Sequence, residues 1–338
     1  MLSSLPAQRL PGLAVTSLLL IAGITLGALL GHFLPVSGQW LEERVDPTLL
    51  MLVGLLFFGV RFSALVQALG NLRFLGIALA TNFLLVPWIG YGVASIFLAD
   101  HPLIMIGLVI YFMSPCTDWF LGFTRLSGGN VALGTALIPL NMVVQLLLYP
   151  LYLQWFTHNT VQVEADVIGS TLLQWFLQPL VAAVLAHQGL RRLLGAVRFE
   201  RLLHGVDQGT PWVIALLVLE IFAGNIPVIL EHRAVFAWVL LAVFVFFALT
   251  FLLGEGISRL CHLRYPEHAL LTMTIAARNA PLMLAVTMAA LPGQPLIYAA
   301  MVIGMLVEFP HLTALWRLLL GARHRFPQSS TTTASTNT

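Results

Sequence analysis

HPLIMIGLVIYFMSPCTDWFLGF, residues 101–123, decides how the chain must be read. Most of the stretch suits hydrocarbon, yet its middle, MSPCTDWF at 113–120, sets a proline, a thiol, a hydroxyl and a carboxylate side by side. Proline cannot donate a backbone hydrogen bond and interrupts a helix, and ionisable groups inside a span are costly and rare. The stretch reads as a helix broken within an apolar layer, and irregular backbone at that depth survives only where protein or a wet cavity surrounds it.

Composition supplies the layer. Of 338 residues, 59% are hydrophobic and 9% charged, against about 25% charged in a soluble domain. A crossing helix needs roughly 20 apolar residues. Ten such segments fit, at 12–34, 46–67, 72–98, 102–125, 131–156, 168–188, 210–230, 234–260, 266–291 and 295–319, with short connections that leave no room for a soluble domain. The chain has no Lys, so its orientation rests on 16 Arg. With the N-terminus inside, 13 of them fall in cytoplasmic segments, Arg44 and Arg233 in outer loops, and Arg278 in a span. The positive-inside rule then predicts a multi-pass protein of the cell (inner or plasma) membrane with both termini cytoplasmic. The first apolar segment is expected to stay as a helix rather than leave as a signal peptide, and the polar tail 322–338 to be disordered.

Ten spans divide into two halves, 12–158 and 168–321, near the long connection HQGLRRLLGAVRFERLLHGVDQG at 187–209. In a five-plus-five register the fourth span corresponds to the ninth, and the ninth is interrupted as well, by IAARNAPLML at 275–284. Inverted repeats whose broken helices meet at mid-membrane are a recurrent carrier architecture. The expectation is an all-α polytopic protein of two inverted five-helix repeats, with discontinuous helices 4 and 9 crossing at mid-membrane and exposing backbone groups to a solute.

Three short motifs carry a resemblance. SPCT at 114–117, RNAPLMLAV at 278–286 and MLVEFPHL at 305–312 resemble the arsenical-resistance permeases of the superfamily that also holds bile acid:sodium symporters. The resemblance extends over nearly the whole chain in span number and spacing. It implies a core of spans 3–5 and 8–10 beside a panel of spans 1, 2, 6 and 7. It also implies arsenite efflux, with the span 4 Cys and the span 10 Glu needed for transport. In the bile acid symporters span 9 resembles Glu-x-x-x-Gln-Asn, whose oxygens help hold sodium; here Thr274, Arg278 and Asn279 stand at those positions. A guanidinium offers donors and no acceptor, which speaks against sodium there. Arg278, like Asp118 after Pro-Cys-Thr, also departs from the arsenite permeases.

Side-chain chemistry agrees at two positions. Trivalent arsenic, as the uncharged trihydroxide, is a soft centre that prefers sulfur, and one reachable thiol holds it weakly enough to release it. Of two cysteines, Cys116 lies in the break and Cys261 near the end of span 8, where a structural role is expected. Two cysteines so far apart make no metal cage. Glu308, a lone carboxylate in low dielectric, can take and lose a proton near neutral pH; Glu220 in LLVLEIFAGNIP is the second candidate, and Glu255 is expected at the cytoplasmic interface. Thr117, Asn279 and Asn141 are expected at the substrate. Asn82, Gln145, Gln174 and Gln178 either line a pathway or bridge helices. Asp118 and Arg278, one in each break, are expected to form an ion pair that pins the crossing.

The reading is a proton-coupled antiporter for arsenite, with antimonite as a related solute. Its partners are protons and the bilayer, with no cofactor, resident metal or nucleic acid. The alternatives are a proton- or sodium-coupled carrier of an organic or inorganic anion, with Arg278 as counter-charge, and a non-transporting membrane sensor. The sequence shows no metal-ligand cluster, nucleotide loop or nucleophile triad to suggest an enzyme. Most of the single histidines are expected in loops, and His32, His187, His204 and His262 at interfaces.

Overall fold

A computed structural model describes residues 11–59, 71–117, 119–157 and 177–323. The described elements are helices: α1 (Pro11–Phe33), α2 (Pro35–Glu42), α3 (Val45–Phe58), α4 (Leu72–Leu98), α5 (Pro102–Phe112), α6 (Phe120–Leu126), α7 (Val131–Thr157), α8 (Gln178–Glu231), α9 (Arg233–Leu260), α10 (Tyr265–Ala276), α11 (Ala280–Ala290) and α12 (Pro295–Ala322). Five, α4, α7, α8, α9 and α12, are long and apolar enough to cross a membrane, and shorter apolar helices accompany them.

Three local features follow from the sequence. The connection at 187–209, expected to separate two spans, is helical, and α8 runs 54 residues through it with one departure at Gly195 (φ 72°, ψ 165°). Its Leu- and Arg-rich sequence favours helix, and glycine adopts the positive φ without a Cβ clash. His187 and His204 consequently lie within this helix.

In α4 the five residues Thr81–Leu85 form a π turn just ahead of Pro87. Proline leaves the carbonyl four residues back without its helical donor. That carbonyl, on Phe83, accepts the Tyr152 hydroxyl of α7 instead. Finally, Gly23, Gly27 and Gly31 form a ridge of α1 against Ala215, Leu219 and Ala223 of α8, and a Cβ on Gly31 would lie 2.1 Å from the Ala223 oxygen. Small residues every fourth position let two membrane helices approach backbone to backbone. Helices α2 and α3 also pack on α8.

The remaining packing positions the site. Gly107 of α5 lies so close to α12 that a Cβ would meet the Ile297 oxygen at 2.3 Å, and Gly304 of α12 faces the Tyr111 ring at 2.8 Å in the same sense. Helix α5 is thereby pressed on α12 along its length. α10 packs against α9.

Candidate functional site at the helix crossing

Helix α5 stops at Phe112 and α6 resumes at Phe120; α10 stops at Ala276 and α11 resumes at Ala280. The two interruptions meet. Cys116 donates its backbone N–H to the Ala277 oxygen at 3.0 Å, and Asn279 donates its own to the Ser114 oxygen at 2.8 Å. Pro115 and Arg278 face each other between these bonds as an antiparallel bridge. Residues at such a non-hydrogen-bonded position turn their own N–H groups away from the partner strand. Proline loses nothing there, having no N–H, and the Arg278 N–H is left for another acceptor. The breaks thus spend much of their backbone on each other, where the sequence suggested backbone exposed to a solute; unpaired buried N–H and C=O groups cost too much to leave open.

The outer acceptor is Glu308 of α12, which has 0% exposure. Its Oε1 takes the Arg278 N–H at 3.0 Å and its Oε2 takes the Tyr111 hydroxyl at 3.2 Å. The same hydroxyl lies 3.1 Å from the Gly304 oxygen. A phenol has one proton to donate, so the two acceptors share it. The Arg278 guanidinium points elsewhere, to the Phe112 oxygen at 2.8 Å and to the Thr274 and Ile275 oxygens at 3.1 and 2.5 Å. These are carbonyls in the last turns of α5 and α10, which a helix leaves without internal donors. The expected partner, Asp118, lies outside the described residues.

Side chains around the crossing form a polar chain. Cys116 is 1% exposed, and neither it nor Cys261 is in a disulfide. Thr117 Oγ1 accepts from Asn279 Nδ2 at 3.1 Å. Asn141 Nδ2 of α7 reaches Thr274 Oγ1 at 3.3 Å and, at a long 3.5 Å, the Cys116 oxygen. Asn82 Nδ2, from the π turn of α4, reaches the same Thr274 hydroxyl at 3.3 Å. Gln145, one turn along α7 from Asn141, is buried too. Among the described residues, the Oδ1 atoms of Asn82, Asn141 and Asn279 and both amide atoms of Gln145 have no hydrogen-bond partner. Buried polar groups normally find one, so the chain of amides is suited to a solute or water that supplies hydroxyl donors.

Four of the residues singled out in the sequence as substrate ligands, Cys116, Thr117, Asn141 and Asn279, therefore gather at one place, with Glu308 and Arg278 bonded into the same crossing. Glu220 is held elsewhere, between α8 and α3, where its Oε1 accepts from Thr48 at 3.0 Å. Glu255 is paired with Arg259 at 3.1 Å and His268 at 3.0 Å. Gln178 is exposed and Gln174 lies outside the described residues. Cys261 caps α9 and its oxygen accepts from Arg73. Sequence reasoning missed Tyr111 and the central place of Thr274. A tyrosine in an apolar helix was the available signal, since a buried phenol needs a partner. Among the described residues no three His, Cys, Asp or Glu side chains cluster as a metal site.

Residues 46–232, more than half of the chain, match the model of the Sodium Bile acid symporter family. The chain belongs to that family. Two relatives are each called "Arsenical-resistance protein Acr3". The one from Corynebacterium glutamicum is 24% identical over 82% of this chain and 78% of its own length. The other, from Alkaliphilus metalliredigens, is 24% identical over 91% of both. Family membership and the run of apolar helices make this a multi-pass membrane transporter, not an enzyme. The family match includes Cys116 and Asn141 and ends before Arg278 and Glu308.

Proposed function

We propose that the chain exports arsenite from the cell in exchange for protons, with Cys116 as the soft ligand and Glu308 as the proton carrier. One observation carries the reading. Cys116 is bonded through its backbone to Ala277, and the next residue, Arg278, gives its N–H to Glu308. The ligand for the solute and the group that takes the proton are thus one peptide apart across a single backbone junction. The names of the two relatives support arsenite as the solute.

The steps follow from the groups present. Arsenous acid condenses with the Cys116 thiol: the S–As bond forms, and the thiol proton leaves with one hydroxyl as water. The two remaining hydroxyls donate to unpartnered amide oxygens of Asn141 and Asn279. Hydrolysis reverses the bond on the far side, which one thiol permits and three would resist. When Glu308 binds a proton it becomes a weaker acceptor for the Arg278 N–H, and the Tyr111 hydroxyl is released to the Gly304 oxygen. The junction then loosens from α12 and the broken helices are able to rearrange. Glu220, whose Oε1 accepts from the Thr48 hydroxyl, is the second candidate for the proton.

In this reading the chain has ten spans in two inverted halves, 12–158 and 168–321, with both termini cytoplasmic, and antimonite follows arsenite by its like chemistry. The anion-carrier alternative is weaker, because three donors of the guanidinium are already spent on carbonyls. The deciding measurement is uptake into inverted vesicles under an imposed proton gradient, comparing arsenite with taurocholate plus sodium. Proton-driven arsenite accumulation supports the proposal; sodium-driven taurocholate uptake without arsenite transport overturns it.

A further inference from the structure

Among the described residues Arg278 is the largest of the fully buried side chains, at 0% exposure. A charge in such a place requires compensation, and the described compensation is unusual. It comes from the Phe112 oxygen at the end of α5 and from the Thr274 and Ile275 oxygens at the end of α10. Each helix end carries a partial negative charge from carbonyls that lack internal donors. Converging half-helix C-termini and unwound carbonyls are the groups with which carriers hold a small coupling cation. Here a cation already sits on them, and it belongs to the chain.

We propose that the Arg278 guanidinium is a tethered cation that fills an ion site formed by Phe112, Thr274 and Ile275, so that the crossing is assembled without a diffusible alkali-metal ion. Shortening the side chain then converts the place into a site for sodium. The oxygens for it are present: the three carbonyls, and the unpartnered Oδ1 atoms of Asn82 and Asn141, whose amides both hold Thr274. Neutral carbonyl oxygens suffice to replace the hydration shell of a monovalent ion. Glu308 stays outside the set, because it is turned to the Arg278 backbone. Tethering also removes the entropy loss of capturing an ion at each turnover, at the expense of the sodium gradient as an energy source.

The consequence for coupling rests on the carrier reading, whereas the ion site itself is tested without any solute. Thermal unfolding of the purified chain is measured in detergent with choline chloride and with sodium, lithium or potassium chloride at equal ionic strength. The unaltered protein is expected to melt at the same temperature in all four salts. Arg278→Gln is expected to melt lower in choline and to regain on the order of 5 °C as sodium saturates the site. Arg278→Lys, which keeps a tethered charge, should stay indifferent to the salt. A folded Arg278→Gln protein that ignores all three alkali ions overturns the proposal, and so does sodium stabilisation of the unaltered protein. Should Arg278→Gln aggregate, Arg278→Ala is extracted with and without methylguanidinium; recovery of monodisperse protein by that ion supports the site, and aggregation in every salt with no such recovery overturns it. Arsenite transport plays no part in these outcomes, so failure of the export reading is recognised separately.

Discussion

The break at 113–119 and the break at 277–279 make the same use of backbone and carry opposite chemistry. Each accepts one bond from the other and donates one, through Cys116 to Ala277 and Asn279 to Ser114. The first brings a soft, uncharged ligand in Cys116; the second brings a fixed cation in Arg278 and the N–H that Glu308 holds. A crossing built from two like interruptions therefore carries unequal side chains. In the proposed reading the first arm brings the thiol to the solute, and the second brings the Asn279 amide to it and, through the Arg278 N–H, reaches the proton group. The difference teaches that the crossing provides position, while identity is written in the few side chains that depart from the pseudo-equivalence.

The comparison is broken most directly at the thiol. Cys116→Ser keeps size and polarity and removes the soft donor, so arsenite transport in vesicles should fall to background with insertion unchanged. Cys261→Ser, at the cap of α9, should transport normally. Arsenite transport at full rate by the Cys116→Ser protein would falsify the division of labour between the breaks.

On the other arm, Glu308→Gln keeps an acceptor oxygen for the Arg278 N–H and cannot release a proton. Efflux should lose its dependence on the proton gradient and fall to roughly a hundredth or less of the original rate, in line with the usual 10²–10⁴-fold worth of a positioned proton-transfer group. Unchanged gradient dependence would move the proton to another carboxylate, with Glu220 the first to test.

A smaller effect concerns what joins the arms. Asp118→Asn, Arg278→Gln and the double substitution form a cycle whose coupling energy is read from thermal stability. Groups in one charged network couple by about 0.5–3 kcal/mol. An ion pair at the crossing predicts coupling in the upper part of that range, with the double variant recovering part of the loss. Additive losses would leave Arg278 to the three carbonyls alone.

Much of this was readable in the chain. Pro115 and Pro281 beside polar residues inside apolar runs mark both interruptions, and the five-plus-five register names each as the partner of the other. The collection of Cys116, Asn141 and Asn279 follows from their chemistry. What the sequence does not disclose is where backbone groups end. The N–H of Arg278 and its guanidinium go to different elements, α12 on one side and the ends of α5 and α10 on the other. No pattern of residue types distinguishes these from an ion pair. The glycine ridge at 23, 27 and 31 was legible by its spacing and went unread, and the helical path through 187–209 was hidden because Arg-rich segments between spans resemble loops in composition.

The finest distinction between the arms is the bracing of Glu308 by Tyr111, a residue of the first broken span bonded to the α12 carboxylate that also holds the second break. The Tyr111 hydroxyl lies 3.2 Å from Glu308 Oε2 and 3.1 Å from the Gly304 oxygen. With one proton and two acceptors, in the proposed mechanism it follows the carboxylate, bonding Glu308 when that group is charged and Gly304 when it is not. Tyr111→Phe keeps the ring, which packs against Gly304, and removes only this alternation. A net hydrogen bond of about 1 kcal/mol corresponds to roughly a fivefold change in rate. Efflux should slow by about that factor at saturating arsenite, with the arsenite concentration for half-maximal rate unchanged, because the hydroxyl touches the proton group and not the solute. A change confined to that concentration would instead place Tyr111 with Cys116 on the solute's side of the crossing, and the two arms would then be less separate than their side chains suggest.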